Sequence, residues 1–251
     1  MTGNSRAELF YLARAMIVGV AVVAAAALLG RALIDSFRIH HAEKRVTVTG
    51  SATRRIRSDS IVWEASVRSQ DPAMTAAYKK LAADMPVLMQ FVKAHGVPDT
   101  EISTTATTVS EVHPRDQNGV YQEQVVASYI VEQHITVTSK DIPKVEKVSR
   151  EITELLDKGI YVHSEAPLYI YTNLAALKLE MLAEASRDAR LRAEKIAQNT
   201  GASLGGLLSS RMGVLQINPA FSTEVSAEGN NDKTSLDKDV LGVVTASFAV
   251  K

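Results

Sequence analysis

Six histidines, a cluster of three arginines and the absence of cysteine bound the chemistry open to this chain. His40, His41 and Glu43 lie within four positions and carry metal-ligating groups. Adjacent histidines point to opposite sides of a strand, or about 100° apart on a helix, so they seldom close on one ion. His95, His113, His134 and His163 are scattered singly and are expected at turns or strand ends. Without cysteine there is no disulfide, thiolate zinc site or cysteine nucleophile, and the redox compartment stays undecided. Serines and carboxylates are plentiful, but no G-x-S-x-G, H-E-x-x-H or phosphate-loop spacing joins them. A hydrolase needs a nucleophile, a base and an orienting group within reach of one another. The sequence therefore assigns no catalytic, cofactor-binding or metal-ligating residue, and a non-enzymatic role is expected. A hydrolase-type enzyme with no recognisable motif is the alternative, with His113, His134 and His163 as the positions to replace.

Arg54, Arg55 and Arg57 form a basic edge after the first predicted strand. Such an edge can meet anionic lipid headgroups. It can equally be a solvated border that discourages edge-to-edge pairing. The formal charge is zero, yet residues 1–45 carry six basic and three acidic side chains, leaving 22 basic and 25 acidic in the remainder. A mildly acidic body argues against general nucleic-acid binding, which rests on a basic footprint.

The element that positions most of the chain is a long helix after Tyr169-Ile-Tyr-Thr-Asn. Leu174, Leu177, Met181, Ala185, Ala189, Ala193 and Ile196 form its apolar stripe. Thr172 or Asn173 is a suitable N-cap, and Gly201 stands where a left-handed residue ends a helix. Glu180 and Glu184 precede Arg187, Arg190, Arg192 and Lys195, as the helix dipole favours. Ala183, Ala185, Ala189 and Ala193 would let a sheet or a second helix approach closely.

Ahead of this helix, Val46 and Val48 alternate with threonines, and Ile61, Trp63, Ala65 and Val67 mark one face of a second strand. Asp71-Pro72 predicts a helix start, with Met74, Tyr78, Leu81, Met85, Leu88 and Val92 inward and Pro86 kinking or splitting it. A threonine-rich strand, 102–113, turns at Asn118-Gly119 into a long return strand carrying Val125, Ala127, Tyr129, Val131, Ile135 and Val137 on one face. That pairing keeps His113 and His134 apart. Asp141 caps a helix with Ile142, Val145, Val148, Ile152 and Leu155 inward and Gly159 at its end. An extended segment, 160–171, is interrupted at Pro167. Strands at 207–217, with a bulge at Gly213, and at 240–250 close the chain around a polar segment, 220–239, expected to be a mobile loop. The order is β-β-α-β-β-α-β-α-β-β, which reads as an α+β fold of mostly antiparallel strands with long packed helices. A unit of two strands and one helix recurs at 45–95 and 102–158.

Residues 15–30 are uncharged, between Arg14 and Arg31. Sixteen helical residues reach only about 24 Å against a bilayer core of about 30 Å. If Arg31 snorkels, the run extends to Ile34 and becomes long enough. The organisation expected is a tail at 1–14, one transmembrane anchor at 15–34, a linker at 35–44 and one domain at 45–251. A secretory signal cleaved near Ala25–Ala27 and a buried helix of a soluble protein are the alternatives to an anchor. Flanking charge is balanced, so the positive-inside rule gives no orientation; the short N-terminal tail favours an inside N-terminus.

Several stretches together resemble the SIMPL-domain family, a domain of unknown function. They are R-V-T-V-T-G-S-A-T-R-R-I-R-S-D-S-I-V-W, F-V-K-A-H-G-V-P-D-T-E-I-S-T, Y-T-N-L and A-E-A-S-R-D-A-R-L-R-A-E-K-I-A. The anchor, the tryptophan strand and R-M-G-V-L-Q-I resemble its membrane-anchored bacterial envelope branch. The resemblance covers about residues 45–250. It implies an envelope protein linked to stress tolerance, sitting in the bacterial inner membrane with its N-terminus cytoplasmic and its body in the periplasm. It implies a homo-oligomer and no catalytic residues. A module binding lipid, cell wall or another protein, through the arginine edge or the 220–239 loop, is the alternative function.

Overall fold

The computed structural model describes residues 25–31 and 44–251. Residues 25–31 are helical, and no helix among the described residues is long and apolar enough to cross a membrane. The rest of the expected span at 15–34, the linker through residue 43 and the pair His40-His41 lie outside the described residues.

Chain contacts gather into two units. The larger holds Thr49–Asp188 and Arg211–Val244. Its centre is a six-stranded sheet in the order β3-β5-β2-β6, with β4 also on β5 and β7 also on β2. The strands are β2 (Ser60–Asp71), β3 (Ile102–Thr104), β4 (Thr108–Val112), β5 (Ser128–Ser139), β6 (Val162–Ser164) and β7 (Leu168–Ile170). All pair antiparallel; β2 and β5 run together from Ile61 opposite Ser139 to Asp71 opposite Tyr129. Helices α1 (Met74–Ala94) and α2 (Ile142–Glu151) give a β-α-β-β-α-β connectivity, the split βαβ arrangement.

The duplication is therefore real but shifted by one strand. Each half is strand, helix, strand, beginning at β2 and β5. β1 (Arg45–Arg57) does not pair with β2; it joins β10 (Asp237–Val250) and β8 (Leu204–Met212) in a second sheet ordered β1-β10-β8. Hairpin proximity in sequence misplaced it, because β1 and β2 are joined by only two residues, Ser58 and Asp59, yet belong to different sheets. β9 (Gln216–Pro219) pairs antiparallel with β10, Val240 opposite Ile217.

Alternation explains the core. Ile61, Trp63, Ala65 and Val67 of β2, with Val131, Ile135 and Val137 of β5, meet Leu81, Met85, Leu88 and Val92 of α1 and Val145 and Val148 of α2. The stripe continues through Ile152 and Leu155 although the helix tightens to 3-10 geometry over Ile152–Lys158, ending at Gly159 with φ 75°. Asp141 caps α2 by accepting from Lys144 N, as its sequence position predicts.

Four local expectations are revised. α1 starts at Met74, not after Asp71; the Asp71 carboxylate accepts from Ala73 N before the helix begins, leaving Met74 and Tyr78 exposed and Ala77 inward. Of the two outcomes expected at Pro86, the split does not occur, since the proline lies inside one helix, Met74–Ala94. Residues 105–107 divide the threonine-rich strand into β3 and β4, and Val125 precedes β5 and is exposed. His134 lies within β5, not at its end.

The long helix α3 (Leu174–Asn199) buries Leu177, Met181, Ala185, Ala189, Ala193 and Ala197, a ridge with steps of four throughout. The stripe does not take the last step of three to Ile196, which is exposed. Within the larger unit, a Cβ on Gly242 of β10 would meet Met181 Cβ at 3.4 Å, so α3 and β10 touch closely there. Gly201 follows with φ 71°, ending the helix as expected. The buried alanines are spent inside the protein. Of the four alanines expected to admit a neighbour, Ala183 alone, on the outer face, is exposed. Ala189→Leu should cost about 1–3 kcal/mol in urea unfolding through overpacking, whereas Ala183→Leu should stay within about 0.5 kcal/mol of wild type.

The smaller unit gathers the described residues up to Val48, Ala189–Ser210 and Thr245–Lys251. In it Val250 N donates to Lys44 O at 2.7 Å and Thr47 Oγ1 lies 2.8 Å from Ser247 Oγ. Gly205 lies so near Ala249 that an added Cβ would stand 3.0 Å from the alanine Cβ.

Candidate functional site

The polar groups singled out in the sequence are distributed by the fold as follows. His95 Nδ1 donates to Phe91 O (2.7 Å), and its Nε2 faces Glu151 at 3.2 Å. His113 binds Val125 O at 3.0 Å, His134 lies 3.8 Å from Glu132, and His163 3.0 Å from Glu165. These histidines pair with separate carboxylates or carbonyls. Among the described residues no three metal-ligating side chains converge.

The arginine edge is committed to partners within the chain. Arg54 bridges Glu180 and Glu184, one turn apart on α3, and Ser51 N donates to Asp188 Oδ2 at 2.7 Å another turn along. The i, i+4, i+8 carboxylates thus tie α3 to β1. Arg55 makes a two-pronged bond to Asp239, both at 2.9 Å, and its guanidinium carbon lies 4.0 Å from the Phe221 ring centre. Arg57 is 3.9 Å from Asp237. The Arg55 bonds, then the Phe221 N–H, hold the Asp239 carboxyl down at about 2.

That clasp begins the segment expected to be a mobile loop. Residues 220–236 are instead pinned by buried amides. Gln216 Oε1 accepts from Ser226 N and Asn230 N at 3.2 and 2.9 Å, and its Nε2 donates to Ser226 O at 2.8 Å. Asn218 donates to Glu224 O at 2.7 Å and accepts from Asn230 Nδ2 at 2.8 Å. Backbone bonds add Asp232 N to Ile217 O, Tyr169 N to Lys233 O and Ser58 N to Leu236 O. Phe221 takes φ 69°, strained for a bulky residue, where Asp239 captures its N–H, and the residue is 83% exposed.

The most deeply buried charged residue among those described is Lys238. Its side chain is 2% exposed and that of Asp232 8%. Lys238 Nζ donates to Asp232 O at 2.7 Å and to Asp232 Oδ2 at 3.3 Å. Burial alone would raise the Asp232 pKa, but hydrogen bonds from Thr234 Oγ1, Thr234 N and Ser235, with the Lys238 charge, bring it down to about 2. A cleft of about 230 Å³ opens beside this pair, walled by Tyr169, Ile170, Tyr171, Leu174 and Ile217 and edged by Asn231 and Lys233. Tyr169 spends its hydroxyl on Glu146 Oε1 at 2.6 Å; burial, then that bond, pushes its pKa up to about 12.

Lys238 is readable from strand phase once β10 is started at Asp237. It shares the inward face of β10 with Val240, Val244, Ala246 and Phe248. Starting the strand at Val240, two residues or more too late, hides a charge on a core-facing position.

A family model described as SIMPL, a protein of unknown function (DUF541), matches residues 46–248. The chain belongs to the SIMPL family. No curated protein matches it. Among solved structures it is similar to a de novo designed protein, Foldit4, at 21% identity and TM-score 0.21, over 42% of this chain and 93% of that one. It is also similar to a putative amidohydrolase/peptidase from Burkholderia cenocepacia, at 12% identity and TM-score 0.21, over 52% of this chain and 32% of that one. Likeness at these scores carries no argument about the SIMPL chain's activity. The α+β architecture with antiparallel sheets agrees with the expectation from the sequence.

Proposed function

We propose that this SIMPL protein is a non-enzymatic, self-assembling component of the bacterial envelope, held at the inner membrane by residues 15–34 with its body in the periplasm and a role in stress tolerance. The observation that supports assembly is strand β8. It ends its sheet path, and residues 206–212 are exposed on both sides of the strand, Leu207 at 59% and Leu208 at 42%. Leu207–Met212 holds one charge, Arg211, and no proline, so the usual devices that blunt an edge strand are nearly absent. Among the described residues no strand pairs with the outer edge of β8, so a second copy adding strand to strand would extend the sheet there and flank both leucines. The alanines of α3 do not support assembly, because they are buried within the chain. The arginine edge supports lipid binding no better, since each arginine already faces a carboxylate.

Light scattering on the detergent-solubilised full chain should show a concentration-dependent oligomer. Leu207→Lys with Leu208→Lys should weaken association about tenfold or more. A monomer at every concentration, or an oligomer indifferent to both lysines, would sink the assembly reading. Recovery of a variant lacking 15–34 in the membrane fraction would sink the anchor.

A further inference from the structure

Lys238 has three N–H donors and makes two hydrogen bonds among the described residues, both to Asp232. A buried ammonium with a donor unspent is costly unless something accepts from it. Lys238 is among the residues that line the cleft beside it, although its side chain is only 2% exposed. Asp232 also lines the cleft, but its carboxylate is already served: Oδ1 accepts from Thr234 N at 2.8 Å and Thr234 Oγ1 at 2.7 Å, and Oδ2 faces Lys238. At the rim Lys233 is exposed, with no carboxylate paired to it among the described residues, and its backbone carbonyl accepts from Tyr169 N. The other walls are aromatic and aliphatic, from Tyr169, Ile170, Tyr171, Leu174 and Ile217. The Tyr169 hydroxyl is held by Glu146, so the ring offers the cleft a face and not a competing donor.

We propose that this cleft binds a small organic anion, a carboxylate or phosphate ester on a flat apolar body, with the anionic end at Lys238 and Lys233 and the body against Tyr169, Tyr171 and Leu174. The volume, about 230 Å³, lies below the range of drug-sized pockets, roughly 300–1,000 Å³, so a single-ring ligand fits and a nucleotide does not. A neighbouring cleft of about 380 Å³ shares Leu174, Ile217 and Asn231, which leaves room for a substituent to extend past Asn231. Anion binding here is independent of assembly through β8, and either can hold without the other.

The test is calorimetric titration of the full chain in detergent with benzoate, phenyl phosphate and the neutral isostere benzamide. At least one anion should bind about tenfold or more tighter than benzamide, as a charge-assisted contact requires; which anion binds distinguishes carboxylate from phosphate recognition. Lys233→Gln should weaken that anion several-fold. Leu174→Trp should abolish binding by filling the cleft, and it leaves the Lys238–Asp232 pair untouched, so a folding defect at the pair does not cloud the result. Equal binding of benzamide, no binding of either anion, or undiminished affinity in Leu174→Trp would each overturn the proposal, the free N–H then being served by water alone.

Discussion

Lys238→Met should cost about 3 kcal/mol or somewhat more in urea unfolding at neutral pH, the effect of breaking a buried ion pair by removing one partner. The ammonium goes, and an ionised Asp232 stays behind in a pocket where its side chain is 8% exposed. Methionine matches the lysine stem closely, so little of the loss comes from packing. Adding Asp232→Asn should restore much of the stability, because the amide carries no charge to strand and can still meet Thr234. The pH dependence separates charge from shape. The Asp232 pKa of about 2 lies below the ordinary 3.8, so its ionised form stabilises the fold above about pH 4, and that contribution is lost as pH falls from about 4 through 2. Without the ammonium the folded pKa rises, so the deficit of Lys238→Met should shrink across the same window. A deficit below about 1 kcal/mol, or one unchanged between pH 7 and pH 3, would mean that the pair is not what holds the 220–236 segment.

That segment also marks where sequence reasoning reaches its limit. Glycine, asparagine and serine between two strands signal a loop correctly, but they do not say whether the loop is tethered. The tethers are Gln216, Asn218 and Lys238, polar residues on strands, and their inward direction follows only once strand boundaries are correct. Where alternation is unambiguous, as at Ile61, Trp63, Ala65 and Val67, the buried face is legible in the order of residues itself. Caps with their own chemistry, Asp141 and Gly159, are legible too. Strand partnership is not. β1 and β2 are consecutive and similarly patterned, and nothing local encodes that one pairs with β10 and the other with β5. Long-range pairing depends on which face each element must bury, which is a property of the whole chain. The cleft is hidden in the sequence for the same reason: Tyr169, Leu174, Ile217 and Lys238 come together only when β7, α3, β9 and β10 do.

Trp63→Ala should produce a loss of similar or larger size, about 3–5 kcal/mol, from the centre of the six-stranded sheet. The indole is 1% exposed, on the strand that carries β5 on one side and β6 and β7 on the other. Its Nε1 donates to Ser164 Oγ at 3.0 Å, and that hydroxyl in turn donates to Ser149 O at 3.3 Å, so one side chain links β2, β6 and α2. Alanine removes the bulk and also strands the Ser164 lone pairs. Trp63→Phe keeps most of the packing and loses only the donor, so it should cost about 1–2 kcal/mol. Because Trp63 is the sole tryptophan, its fluorescence in the wild type reports this core alone, while far-ultraviolet dichroism reports every helix and strand. The variants should be followed by dichroism, with wild-type fluorescence as the reference. If assembly proceeds through β8, Trp63→Phe should leave the oligomer intact at concentrations where the fold survives, while the Leu207 and Leu208 lysine variant should dissociate with its urea midpoint per folded monomer little changed. An oligomer lost in Trp63→Phe but retained in the lysine variant would place the interface on the six-stranded sheet and away from β8.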